Sequence, residues 1–216
     1  MDILNNPDQY FKGIKRYPFD IDNKLRTKVY KERMQTGIGI IESLEKAQGL
    51  TCVCGKGCSA CCCQLITVYP KEAEIAAEYL DSIVKGSKRE KLKKKISGQI
   101  DLLASQGITE KAVKEISDRG GVNELVLKEH YVTLNIPCPL LTEEGHCMIY
   151  PVRPVSCWDY RCYGSSEDCK GQISHTACSN EKISVPLTFD LLNDRNCEES
   201  YELKMFQAEL LKHLRW

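Results

Sequence analysis

Six cysteines and two glycines crowd the twelve residues Cys52–Cys63, which read CVCGKGCSACCC. Packing does not ask for this composition, because a buried strand or helix would use Val, Leu or Ile. Cysteines at this density point to sulfur chemistry, and the rest of the chain must fold so as to serve such a loop. Zinc and iron–sulfur clusters both take thiolates in sets of four. The two-residue gap of Cys58-Ser59-Ala60-Cys61 lets two sulfurs reach one metal from one turn, and Gly55 and Gly57 permit a tight fold around it. Side chains of the adjacent pair Cys61-Cys62 diverge, which suits two metals or opposite faces of one cluster. Cys63 opens an apolar run and reads as a small buried residue.

The 13 cysteines form an odd set, poorly suited to complete internal disulfide pairing. The first residues, MDILNNPDQYFKGIKRYPFD, show no basic-then-apolar export pattern. The expected setting is therefore the reducing cytoplasm, where thiols persist or bind metal. No stretch approaches membrane-span length. Lys+Arg and Asp+Glu are equal at 30 each, so net charge gives no general reason to bind nucleic acid or an anionic membrane. Lys85–Lys95 (KGSKREKLKKK) is basic but has no interleaved aromatic residues, and it reads as the solvated face of a helix.

The expected fold is mostly α, a single domain of helices around irregular cysteine-rich metal-binding loops. Its parts are an N-terminal helical extension over 1–50, a cysteine-cluster domain over 51–185, and a C-terminal helix over 186–216 that packs on it. Residues 1–20 read as irregular, broken by Pro7, Gly13 and Pro18. Asp20 or Asp22 can cap a helix to about Gln48 with the apolar stripe Leu25, Val29, Met34, Ile38, Ile41 and Leu44, weakened at Gly37 and Gly39. Gln64–Tyr69 (QLITVY) is β-branched and short, and reads as a strand or an extended exit from the loop. Pro70 opens a helix that buries Ile75, Ala76, Leu80 and Val84 and ends at Gly86. Further helices are expected through Ile96, Ile100 and Leu103, from a Thr109 cap to Ser117, over 122–132, and from Glu198 to Arg215.

A second cysteine-rich block spans 138–163, CPLLTEEGHCMIYPVRPVSCWDYRCY. Glu143-Glu144-Gly145 marks a turn, so Cys138 and Cys147 should flank a tight hairpin-like loop. Pro151 and Pro154 bracket a turn that opens a short helix carrying Cys157. Four thiolates around a divalent ion carry excess negative charge, and Arg153 and Arg161, four residues either side of Cys157, could offset it. His146, beside Cys147, and His175, three residues before Cys178, could each supply a nitrogen ligand, but both read first as hydrogen-bonded surface histidines.

These blocks resemble the YkgJ-type cysteine-cluster family (CxxCxxCC), described as a zinc- or iron-chelating domain. Cys58-Ser59-Ala60-Cys61-Cys62 is similar to the end of its first motif. Cys138-Pro139-Leu140-Leu141, Gly145-His146-Cys147-Met148-Ile149-Tyr150 and Arg153-Pro154-Val155-Ser156-Cys157 are similar to its second. The sequence departs from the pattern between Cys54 and Cys58, where the gap is three residues rather than two, so Cys52 could stand in for Cys54. The resemblance implies the ligand set Cys54, Cys58, Cys61, Cys62, Cys138, Cys147, Cys157 and Cys178, supported by Arg153 and Tyr150. Cys162, Cys169 and Cys197 are extra to the pattern. The implied function is a protein holding zinc or iron, or an iron–sulfur cluster, with a metal ion as its partner. One related branch, the flagellin lysine N-methylases, implies a cluster-dependent enzyme as an alternative. A structural zinc module acting as an interaction platform is another.

Overall fold

Asp22 starts the longest element. Its carboxylate accepts hydrogen bonds from the Lys24 and Leu25 amides, and helix α2 follows over Asn23–Ala47. The computed structural model describes residues 8–18, 20–55, 57–119, 122–170, 176–192 and 202–216. One helical turn, α1 (Asp8–Phe11), precedes α2 in a stretch expected to be irregular. The buried face of α2 differs in detail from the expected apolar stripe. Val29, Tyr30, Met34, Ile41 and Leu44 are buried, as are Arg26 and Arg33, whereas Leu25 is exposed. Gly37 does not break the helix. A Cβ there would lie 2.7 Å from the buried Trp158 ring, so the glycine lets the indole pack directly on the helix backbone.

After the cysteine loop, a 3-10 helix (Ala60–Cys63) leads into strand β1 (Thr67–Val68). Helix α3 (Pro70–Ile83) begins at Pro70, and the Tyr69 amide donates to Glu72 Oε2 at 2.9 Å. Gly86, at φ +58, separates α3 from α4 (Ser87–Ser105), which buries Leu92, Ile96, Gln99 and Leu103 and turns its basic side chains outward. Thr109 caps α5 (Glu110–Arg119), and α6 (Val122–Thr133) follows. The hairpin is formed as expected. Leu141 and Cys147 pair across it, and Gly145 takes φ +77 at its tip. A 3-10 turn at Tyr150–Val152 and the short helix α7 (Val155–Trp158) complete the second block.

Strands β2 (Arg161–Cys162) and β3 (Ala177–Cys178) pair antiparallel. Helix α8 (Glu181–Leu192) runs through Pro186 and crosses the expected boundary at 185/186. The C-terminal helix corrects another expectation. Helix α9 spans only Phe206–His213, because Lys204–Met205 form β4 and pair with β1. Glu198 lies outside the described residues. Helix α3 packs on α2, α8 and α9, and α2 packs on α8. The larger core cluster runs from Val29 through Leu80, Trp158 and Leu187 to Leu210, and a smaller one gathers Leu65, Leu103, Tyr131 and Met205. The chain is mostly helical, and among the described residues no helix is long and apolar enough to cross a membrane.

Candidate metal centre

Short local turns build the cysteine loop. Gly57, at φ +95, adopts a backbone that favours glycine, and the Cys58 amide donates to Gly55 O at 3.0 Å. The Cys62 amide then donates to Ser59 O at 3.0 Å, opening the 3-10 helix. Two backbone hydrogen bonds fasten this loop to the second block: Cys138 N–H to Cys62 O at 2.8 Å, and Val53 N–H to Cys162 O at 2.9 Å. The first also carries the hairpin to the thiols, since Cys138 opens it. The Ser156 hydroxyl donates to Thr67 O at 2.9 Å and holds α7 against β1.

The result is one cavity of about 110 Å³ whose wall includes Cys54, Cys58, Cys61, Cys62, Cys138, Cys147 and Cys157. Seven of the eight expected ligands therefore face a common space. Cys178 does not line it. It is exposed on β3 and borders a different cavity with Glu45 and Tyr163. Cys52 also lies off the wall, its Sγ accepting from the Cys54 amide at 3.3 Å. Cys63 is half-buried and close enough to Cys61 to feel its charge. Cys162 and Cys169 are buried and off the wall, whereas Cys197 lies outside the described residues. His146 is exposed, with its amide donating to Thr142 Oγ1, and His175 lies outside the described residues.

The thiols interact. Burial pushes Cys138 up to about 12, with a nearby Cys147 adding to the effect. Burial raises Cys157 well above the usual thiol range, and Cys138, Cys61 and Cys147 reinforce it. A hydrogen bond with Cys62 and then burial raise Cys61. Cys54 is pushed up to about 12, chiefly by burial, although its Sγ accepts the Cys162 amide at 3.2 Å. Cys157 thus sits among Cys61, Cys138 and Cys147, which form an inner group around it, and Cys54, Cys58 and Cys62 complete the wall. Without a cation the inner thiols are held neutral. A metal ion would reverse this, since a coordinating thiol is deprotonated outright.

Two arginines border the cavity, in different states. Arg161 is buried and bidentate to Glu45, with Nε–Oε1 at 2.8 Å and Nη2–Oε2 at 2.9 Å. Arg153 makes no carboxylate pair among the described residues. Its guanidinium lies 4.0 Å from the centroid of the Tyr150 ring, and its Nε is buried without a hydrogen-bond partner. Its charge acts to lower both Cys61 and Cys147. Arg153 and Tyr150 both line the cavity. The basic run also contributes a residue that its composition did not single out. Lys95 Nζ donates to Leu141 O at 3.0 Å and acts to lower Cys138. Its position beside the buried Ile96 was the available signal.

Among the described residues, no group of three or more His, Cys, Asp or Glu side chains is drawn together tightly enough to hold a metal ion as it stands. The seven thiols share a cavity without closing on one point. The donor set itself fits a thiolate-bound metal: soft ligands, no carboxylate among the described residues of the wall, and beside them the Arg153 guanidinium, which has no carboxylate partner among the described residues. Comparisons with known protein families, curated proteins and solved structures find no match to this chain.

Proposed function

We propose that this protein binds zinc or iron through cavity-lining thiolates, as the resemblance to YkgJ-type cysteine-cluster chains implies. The observation that carries this reading is the seven-cysteine wall, assembled from two blocks about 80 residues apart in the sequence. Dense cysteine loops are uncommon, and two that turn their sulfurs into the same small space fit a shared ligand better than they fit packing. The inner ligands are Cys61, Cys138, Cys147 and Cys157, since the buried Cys157 feels the charge of the other three. Cys54, Cys58 and Cys62 serve a second metal or the outer face of a cluster. Arg153 offsets part of the excess thiolate charge, with Tyr150 holding its guanidinium in place. Cys178 is left out of the ligand set. A reducing cytoplasmic setting would keep the thiols available.

Elemental analysis and an absorption spectrum of anaerobically purified protein test this. The reading expects stoichiometric zinc in a colourless protein, or iron with thiolate-to-metal absorption. A chelator should remove the metal and lower the melting temperature, because binding closes a long loop and contributes to folding directly. Absence of metal both as purified and after anaerobic reconstitution would contradict it.

A further inference from the structure

A second and larger cavity, about 480 Å³, adjoins the cysteine cavity and shares Gln64, Ile66, Ser156 and Tyr160 with it. Its volume lies within the range of small-molecule sites, about 300–1,000 Å³. Apolar walls come from Leu65, Val132, Val155 and Val185, and three carboxylates, Glu72, Asp159 and Glu181, are set among them. Lys128 also borders the space and is itself engaged in an interaction.

The carboxylates differ in what they still lack. Glu72 is buried and satisfied: Oε1 accepts from Val155 N–H at 2.6 Å and Tyr30 O–H at 3.2 Å, and Oε2 accepts from Tyr69 N–H. Glu181 is exposed at the mouth. Asp159 is only 1% exposed. Its Oδ2 accepts from the Ser179 hydroxyl at 2.9 Å and the Ser184 hydroxyl at 2.7 Å, while Oδ1 is buried with no donor among the described residues. A buried carboxylate oxygen without a donor is costly, and a ligand that supplies one relieves that cost.

We propose that this cavity binds an organic amine, a small rotation of the Asp159 carboxylate bringing Oδ1 to the cavity to accept from the ammonium, with the apolar stem lying against Leu65 and Val132. Glu72 and Glu181 favour a cation over a neutral donor by their field. The amine would sit against the wall shared with the cysteines. The proposal is independent of the metal reading and stands whether or not those thiols hold metal.

The test is titration of n-hexylamine into the full chain at mildly alkaline pH, in metal-free and metal-loaded forms, followed by calorimetry and by NMR of the methyl groups. Hexanol and hexanoate are the neutral and anionic controls. Saturable binding of the amine alone is expected, with shifts at the Leu65 and Val132 methyls. Asp159→Asn should weaken it about tenfold or more, as loss of a charge-assisted hydrogen bond would. The exposed Glu181→Gln, which leaves the core untouched, should weaken it about two- to threefold through lost long-range attraction. If Asp159→Asn does not fold, the methyl shifts and Glu181→Gln decide. Equal binding of hexanol, no saturable binding, shifts confined elsewhere, or unchanged affinity in both variants would overturn the proposal and leave Asp159 Oδ1 to a buried water.

Discussion

Two regions enclose ionisable side chains, and only one of them is complete. At the seam between α2 and α8, Arg33 donates to Asp190, to Leu187 O at 2.7 Å and to Lys15 O at 2.5 Å. Asp190 in turn accepts the Tyr17 amide at 2.7 Å. Both charges are buried, and each meets partners, so the seam has no evident vacancy for a ligand. Around the cysteine cavity, seven cysteines share one space beside a guanidinium that has no carboxylate partner among the described residues, and burial holds the inner thiols neutral. Buried polarity that satisfies itself is architecture. Buried polarity left open is where a ligand belongs.

Breaking the seam should have the greatest consequence for stability. Arg33→Ala or Asp190→Ala leaves a buried charge unpaired and should cost about 3–5 kcal/mol, read by denaturant or thermal unfolding. Burial alone would raise Asp190, but Arg33, the Tyr17 amide and Arg16 outweigh it and hold the carboxyl below its usual range. A depressed carboxylate contributes stability that is fully present above the unfolded value of about 3.9 and is lost as pH falls through the folded value. Asp190→Asn should therefore flatten the acid limb of the stability profile below about pH 4. An unchanged limb would mean that the pair is not formed in solution.

Next comes packing against the same helix, α2. Gly37→Ala would place a methyl group 2.7 Å from the Trp158 ring and should cost about 1–3 kcal/mol. Two turns of phrase in the sequence, Gly37 and Gly39, look alike, yet a Cβ at Gly39 meets nothing within 4 Å. Gly39→Ala should instead stabilise by about 0.4–1 kcal/mol. Equal effects at the two positions would refute the close indole contact.

On the open side, Arg153→Ala should weaken metal retention about 10- to 100-fold while moving the melting temperature of the metal-free protein little. Arg161→Ala should do the reverse. It removes the buried partner of Glu45, so its main effect is on the fold. If both variants behave alike, the division between a structural arginine and a cavity arginine is wrong.

Of the thiols that the family resemblance implied, the seven on the wall were legible as members of cysteine-rich blocks. Cys178 was not. It lies near the end of the polar run GSSEDCKGQISHTACSN, and only the pairing of Arg161 with Cys178 across β2 and β3 fixes where it sits. Helix α2 was legible from its period, but Leu25 was misplaced because Arg26, Tyr30 and Arg33 occupy the buried face with long side chains. Helix α8 went unread because Pro186 interrupts its pattern. The start of α9 was set too early because β4 pairs with β1, more than 130 residues away, a contact that local propensity does not carry. Asp159 drew no notice in the sequence, since only the fold shows that two serines fill one of its oxygens and leave the other bare.

Whether both cysteine blocks build one centre is tested most directly by metal content in Cys61→Ser, Cys157→Ser and the double variant, each reconstituted anaerobically beside the parent protein. A shared centre predicts strong coupling: each single change removes the same metal as the double, and Cys169→Ser removes none. Losses that add, with each single variant giving up a separate portion, would contradict it and leave two independent modules in place of one site.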